Sequence, residues 1–368
     1  MSLETYGWNE FFAASFAPYK RQGYVAGRVF LQHNKIYMLY TEEGEMSAEV
    51  SGRVLHEAAS RDELPAVGDW VAIRVRREEK KTKATIHAVL PRRSKFSRKV
   101  AGSKTDEQVV AANIDTLFLV TGLDNDFNVR RIERYLLMAS ESGARPVVVL
   151  NKSDVAEDAL EKVKEVERVA LDVPIVLMSA REGGGIEALL PYVGAGQTVS
   201  LMGSSGVGKS TITNKLLGAE TQKVQEVRAG DERGKHTTTH RELIRLPTGG
   251  LIIDTPGMRE LQLLVRDRGL RDTFEDVEAL GEQCYFRDCK HEGEPDCAVK
   301  AALESGELDT ERYANYRKMQ HEMSELAAKQ RRRTTANAEQ AAALAAREKT
   351  KKIHQALKKH YKNREREE

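Results

Sequence analysis

The sequence predicts a multidomain α/β protein: a small N-terminal β-barrel, a central parallel α/β domain and a C-terminal helical module. Three observations carry this reading. Five short alternating segments fill residues 24–90, and beyond them strands alternate with helices around a glycine-rich loop. All three cysteines of the 368-residue chain then fall in one short window with a histidine among them.

Residues Tyr24–Leu31, Lys35–Tyr40, Met46–Leu55, Trp70–Arg76 and Ala84–Leu90 alternate apolar and polar side chains, the period of a half-buried strand. Turn signals separate them: Glu42-Glu43-Gly44, Val67-Gly68-Asp69 and the charged stretch Arg77–Lys83. Five strands in so short a span fit a closed barrel. The five-stranded OB fold is the natural candidate, and an SH3-like barrel has the same periodicity.

Beyond Pro91 the period changes. Ile114–Val120, Pro146–Leu150, Val173–Met178, Gln197–Met202 and Arg241–Leu246 read as strands. Val129–Ser142, Glu157–Leu171 and Lys209–Leu217 read as the helices between them. Such alternation gives a parallel sheet whose ligand loops sit at the strand carboxyl ends. From about Leu264 the pattern is helical around the cysteines. From Gln330 it is rich in Ala, Lys, Arg and Glu, either a solvated helix or a segment that orders on binding. The expected divisions are 1–100 (barrel with an N-terminal extension), 101–263, 264–329 and a 330–368 tail. No apolar run approaches the roughly 18–20 residues of a membrane helix, so the expectation is a soluble protein with no membrane partner; a cytoplasmic location and a monomeric state are expected as well.

Gly203-Ser204-Ser205-Gly206-Val207-Gly208-Lys209-Ser210 is a P-loop. Its glycines let backbone N–H groups curl around a phosphate at a helix N-terminus, where donors and dipole favour an anion. Lys209 supplies charge to the β/γ oxygens and Ser210 a hydroxyl to Mg²⁺, with Thr211 beside them. Asn151-Lys152-Ser153-Asp154 has the NKxD form. An Asp154 carboxylate accepts from guanine N1–H and N2–H₂ together, which adenine cannot offer, so GTP/GDP is expected rather than ATP. Asn151 and Lys152 would shape and cover the base pocket, and Ser179-Ala180 would back it. In Asp254-Thr255-Pro256-Gly257, Asp254 would act on the metal through water and Gly257 read the γ-phosphate through its N–H. The base-reading motifs precede the P-loop, the reverse of an ordinary small GTPase. That order points to a circularly permuted P-loop GTPase domain.

The water-orienting Gln that often follows DxxG is here Met258. The stretch from Gly234 to His240 lies where a switch loop belongs, between the P-loop helix and the strand at 241–246. Thr238 there is the candidate Mg²⁺ ligand. His236 is the candidate to orient the attacking water, against the plainer reading of a polar loop histidine. Unaided turnover should then be slow.

Cys284-x4-Cys289-x-His291-x5-Cys297 offers three thiolates and an imidazole, a closed tetrahedral donor set for a structural Zn²⁺. An odd cysteine count argues against a disulfide framework. Three buried thiols in a core are the plainer alternative.

A net charge of +2 conceals an asymmetry. Residues 1–104 carry 18 Lys and Arg against 12 Asp and Glu, and 331–368 carry 12 against 5, whereas 105–330 carry 28 against 39. Basic flanks on an acidic body suit a nucleic-acid partner. The local clusters are Arg74–Arg77, Lys80–Lys83 and Arg92–Lys99.

With these residues in view, the chain resembles the bacterial GTPases that depend on the small ribosomal subunit, the RsgA/YjeQ family. The barrel, NKxD ahead of the P-loop and the Cys-x4-Cys-x-His-x5-Cys cluster carry the likeness. Leu90-Pro-Arg-Arg-Ser-x-Phe-x-Arg98, Glu107-Gln108, Ala111-Ala112-Asn113-x-Asp115 and His236-Thr-Thr-Thr239 add to it, over roughly residues 20–325. The resemblance implies a late factor in maturation of the 30S ribosomal subunit, held on 16S rRNA by the OB domain and zinc module. It also implies GTP hydrolysis stimulated by that subunit, with His236 catalytic and Cys284, Cys289, His291 and Cys297 on zinc. The tail after about residue 330 departs from the family's compact pattern. Two alternatives stay open: an RNA-binding adaptor with GTP as a structural ligand, or a GTPase acting on another RNA.

Overall fold

Strands β1 (Val25–His33), β2 (Ile36–Thr41), β3 (Gly44–Val50), β4 (Trp70–Glu78) and β5 (Lys81–Val89) close a barrel in the computed structural model. The structure describes residues 2–58, 60–78, 81–99, 107–218, 241–254 and 267–328. The hydrogen-bonded order is β1-β2-β3-β5-β4, with β4 returning to β1. β3 and β5 run parallel, Ala48 opposite Ala84, while the other barrel pairs are antiparallel. A parallel closure cannot come from a simple meander, so the crossed order selects the OB arrangement over the SH3-like one. Val29, Leu39, Val71, Ile73 and Ile86 fill the interior with no exposed surface.

Two local expectations are corrected. The segment Met46–Leu55 does not stay extended: Ser51 Oγ accepts from the Val54 N–H at 3.3 Å and caps a helix, α2 (Gly52–Glu57), counted after α1 below. The charged stretch Arg77–Lys83 is not a loop throughout, because β4 continues to Glu78 and β5 begins at Lys81. The N-terminal extension contains α1 (Glu10–Lys20), capped by the Asn9 side chain on the Phe11 and Phe12 N–H groups. Phe12 and Phe16 of α1 are buried, and Trp8 stacks edge-on against Trp70 with centroids 4.7 Å apart.

A separate hairpin, β6 (Lys95–Lys99) and β7 (Glu107–Ala112), leads into the second sheet. There β8 (Thr116–Gly122), β9 (Arg145–Asn151), β10 (Ile175–Leu177), β11 (Thr198–Met202), β12 (Glu242–Arg245) and β13 (Leu251–Asp254) lie in the order β10-β9-β8-β11-β13-β12. The first five are parallel and β12 is antiparallel on β13. All seven residues of β8 are buried, as a parallel strand covered on both faces requires. Helices α3 (Val129–Ser142), α4 (Ala159–Glu167) and α5 (Lys209–Leu217) belong to these crossovers. The outer edge of β12 meets β1, Leu31 opposite Glu242, so barrel and second sheet form one eleven-stranded sheet.

Arg28 of β1 fastens this junction. Its side chain is buried and donates to the carbonyls of Gly68 at 3.2 Å, Asn113 at 3.0 Å and Tyr6. Burial pushes its pKa down to about 10, against the opposing pull of the Asp115 and Asp69 charges. Arg92 is likewise internal, gripping the buried Asp69 carboxylate at 2.8 and 2.7 Å. Lys95 pairs with Asp62 at 3.0 Å and Arg93 with Asp115 at 3.3 Å. Arg92 and Lys95 of the Arg92–Lys99 cluster are therefore engaged inside the fold, while Arg93 is half exposed.

The cysteine region follows on α6 (Asp267–Thr273), α7 (Glu275–Glu282) and α8 (Ala298–Ser305), with a further helix starting at residue 310. Residues 1–320 form one compact unit and 321–368 another; the 330–368 tail lies outside the described residues. Among the described residues no helix is long and apolar enough to cross a membrane.

Replacing Arg28 with Met removes the guanidinium bonds to the Tyr6, Gly68 and Asn113 carbonyls, of which Gly68 keeps the Asn113 Nδ2 donor at 3.0 Å. The expected loss is roughly 3 kcal/mol or more, read as a lower urea midpoint at unchanged slope.

Candidate nucleotide site and zinc centre

The nucleotide motifs meet at the carboxyl ends of parallel strands β8, β9, β10 and β11, where an open α/β sheet binds ligands. The P-loop leaves β11 at Met202 and enters α5 at Lys209. Gly203, Gly206 and Gly208 hold φ of 157°, 77° and 100°. Close approach matters as much as φ at two of them. A Cβ on Gly203 would lie 2.2 Å from the Val120 carbonyl oxygen, and one on Gly208 would lie 2.2 Å from Asn151 Nδ2. Lys209 Nζ donates to the carbonyls of Gly203 at 2.8 Å and Ser204 at 2.5 Å, spanning the loop from within. Ser205, Gly206, Ser210 and Thr211 are exposed on the cradle, and Val207 is buried beneath it.

Asn151 closes β9 and is buried. Its Nδ2 donates to the Val207 carbonyl at 2.7 Å, and its Oδ1 accepts from the Ala180 N–H at 2.8 Å. One amide thus ties the NKxD strand to both the P-loop and the Ser179-Ala180 loop. Lys152 follows with φ 66°, which turns the chain, and its Nζ meets Asp124 Oδ2 at 2.6 Å. Asp154 is exposed, and Ser179 Oγ donates to its Oδ1 at 2.6 Å. That bond, opposed only in part by desolvation, holds the Asp154 carboxyl below the usual carboxylate range and so keeps it an acceptor. Asp254 ends β13 beside the P-loop strand; burial raises its pKa, while the Lys209 charge lowers it.

The sequence reading missed Asp124, Asp126 and Arg131. Asp126 accepts from Arg131 Nη1 at 2.6 Å, and the same nitrogen donates to Ser204 Oγ. The available signal was Leu123-Asp124-Asn125-Asp126, a charged run directly after an apolar strand. His236, Thr238, Gly257 and Met258 lie outside the described residues.

The four residues of the cysteine window converge. Cys284 Sγ and Cys297 Sγ are 3.9 Å apart, and His291 Nδ1 is 3.5 Å from the first and 3.4 Å from the second. With Cys289, all four ligand atoms lie within 4.8 Å of one another. Tetrahedral Zn–S bonds of about 2.3 Å and Zn–N bonds of about 2.0 Å imply S···S near 3.8 Å and S···N near 3.5 Å. The sulfurs are too far apart for a disulfide, and the cysteines are free. The donor set fits a four-coordinate structural zinc, with His291 turned by a φ of 59° to present Nδ1.

The family model described as RsgA GTPase matches residues 89–264. The small ribosomal subunit biogenesis GTPase RsgA of Opitutus terrae is 50% identical over 331 residues, 88% of this chain and 90% of its own. The chain belongs to the RsgA GTPase family. RsgA 2 of Lactiplantibacillus plantarum is 47% identical over 305 residues, 83% of this chain and 85% of its own. The crystal structure of YjeQ from Thermotoga maritima superposes with a TM-score of 0.59 at 30% identity, covering 82% of this chain and 98% of that one. YloQ, described as a circularly permuted GTPase, shares the fold with a TM-score of 0.57 at 24% identity, over 83% of this chain and 96% of its own. The base-reading motifs of this RsgA-family chain precede its P-loop, and the GTPase identity of the P-loop domain follows from the family.

Asn151→Ala should weaken GDP and GTP binding by roughly ten- to a hundredfold, since two buried bonds are lost at once. Titration of a fluorescent nucleotide measures it. The purified protein should also carry about one zinc per chain by elemental analysis, and a chelator should lower the unfolding midpoint.

Proposed function

We propose that this chain is a GTP-hydrolysing switch that assists late maturation of the small ribosomal subunit and leaves on hydrolysis. The observation that carries it is the union of P-loop, NKxD and Ser179-Ala180 loop through Asn151. Its relatives' shared name, small ribosomal subunit biogenesis GTPase, supplies the setting.

Asp154 selects guanine by accepting from N1–H and N2–H₂, and the Ser179 bond keeps that carboxylate ionised and oriented. The loop N–H groups from Ser204 to Lys209 receive the phosphates. Lys209 Nζ, which here bonds Gly203 and Ser204, is within its own loop's reach of the β/γ oxygens. Mg²⁺ would be held by Ser210 and Thr238, with Asp254 acting through water; the ion offsets charge on the β/γ oxygens. His236 orients the attacking water where Met258 replaces the usual Gln. Gly257 senses the γ-phosphate through its N–H, so that GTP and GDP differ in the order they impose on the switch loop.

The partner is the 30S subunit through 16S rRNA, in the cytoplasm, with the chain acting as a monomer. Barrel and zinc module form the contact surfaces. Tyr285 and Phe286, between the first two zinc ligands, are 75% and 41% exposed beside Arg287 and Lys290. Exposed rings next to cations suit stacking on unpaired bases.

GTP hydrolysis should be slow alone and rise strongly with 30S subunits, and not with 50S subunits or bulk tRNA. Equal turnover in all four conditions, with GTP still bound, would favour the adaptor reading. Lys209→Ala should abolish nucleotide binding. His236→Ala should retain it and reduce stimulated turnover on the order of a hundredfold.

A further inference from the structure

We propose that Arg131 is a positioning residue for nucleotide binding, holding the first turn of the P-loop in the shape that receives the phosphates. The inference rests on the nucleotide reading of the site above.

Arg131 stands in the first turn of α3, where its backbone N–H is capped by Asn128 Oδ1 at 3.0 Å. Its Nη1 bonds both Asp126 Oδ2, at 2.6 Å, and the hydroxyl of Ser204, the residue after Gly203 in the P-loop. Ser204 is thus held at two points. Arg131 takes its side chain from the α3 side, and Lys209 takes its carbonyl from within the loop at 2.5 Å.

The support behind Arg131 is itself hydrogen-bonded. Asp126 N–H donates to Asp124 Oδ1 at 3.1 Å, and Asp124 Oδ2 accepts from Lys152 at 2.6 Å. A polar chain therefore runs Lys152, Asp124, Asp126, Arg131, Ser204, from the base-reading motif to the phosphate loop. The turn of α3 that carries Arg131 is fixed from its other side. Glu133, fully buried, accepts from Arg130 at 2.9 Å and Arg312 at 2.7 Å.

A loop with three glycines at positive φ loses much conformational freedom when it closes on a ligand. A tie that removes some of that freedom beforehand appears as affinity. The planar guanidinium can hold a carboxylate and a hydroxyl together in fixed directions, which a lysine ammonium on a flexible stem does poorly. Because the tie acts on the loop and not on the γ-phosphate, GDP and GTP should feel it equally.

Binding of fluorescent GDP and of a non-hydrolysable GTP analogue to the full chain tests this, together with steady-state hydrolysis. Arg131→Ala should weaken both nucleotides about tenfold and raise KM by the same factor, with kcat unchanged. Arg131→Lys should recover part of the loss. Ser204→Ala should weaken both nucleotides as well, and adding it to Arg131→Ala should cost no further affinity. That non-additivity is a readout a merely structural role would not move, and the urea midpoint of each variant is the control. Native Kd values in Arg131→Ala, or losses that multiply in the double variant, would overturn the proposal. If Arg131→Ala does not fold, Arg131→Lys and Ser204→Ala with their double variant carry the same comparison. Failure of the parent protein to bind either nucleotide would instead remove the nucleotide reading itself.

Discussion

The site depends on one buried amide. Asn151 must donate to the P-loop and accept from the loop behind the base at the same time, which sets the distance between the two halves of a nucleotide site. It also adds a second reason for glycine at position 208, where φ is already 100°: a side chain there would collide with Nδ2. None of these contacts refers to chain order. β11 lies between β8 and β13 wherever the chain begins, so moving the base-reading strands ahead of the P-loop leaves the assembled site unchanged. Permutation is tolerated because the site is made of strand ends, and strand ends are fixed by sheet order.

The permutation has a structural consequence at the barrel. In this order the barrel feeds directly into β8 through the β6–β7 hairpin, and β1 becomes the neighbour of β12. Arg28 makes that join stiff, because its three acceptors come from the N-terminal turn, the barrel and the start of the second sheet. A buried arginine on carbonyls alone is electrostatically poor, as its lowered pKa reflects; what it contributes is a fixed geometry. β12 in turn pairs with β13, which ends on Asp254. The barrel is thus two strands from Asp254.

What was legible in the sequence was local. Helices α3 and α5 have the bounds expected because their ends carry their own signals: Asn128 and Gly143 around α3, and Gly208 and Gly218 around α5. The P-loop and the zinc window were legible because their chemistry needs fixed spacing. The illegible parts are those decided by distant partners. α2 follows strand-like alternation and becomes a helix once Ser51 caps it. α1 is aromatic-rich with Pro18 in its last turn, and gains its reason only against Trp70. Arg92 looked like a nucleic-acid contact because Asp69, its partner, lies 23 residues away. Arg131 was missed for the same reason, since Ser204 is 73 residues downstream.

The cysteine module is bound to this site by charge as well as by chain. Glu133 sits with no exposed surface, and a lone carboxylate there would be strongly unfavourable. It is supported by Arg130 from its own helix and by Arg312 and Asn315 from the helix that starts at residue 310. Arg312 also grips Asp276 of α7 at 2.7 Å through two nitrogens, and its guanidinium lies 4.9 Å from the centre of the Phe274 ring. Removing Arg312 while the module stays packed would therefore leave Glu133 buried with Arg130 as its remaining charged partner among these contacts. Buried pairs of this kind contribute little net stability but penalise every arrangement in which one partner is missing. The first turn of α3 then has two duties on adjacent residues, anchoring the zinc module through Glu133 and the P-loop through Arg131. Any displacement of the module would therefore have to pull on the same turn that holds Ser204 of the P-loop.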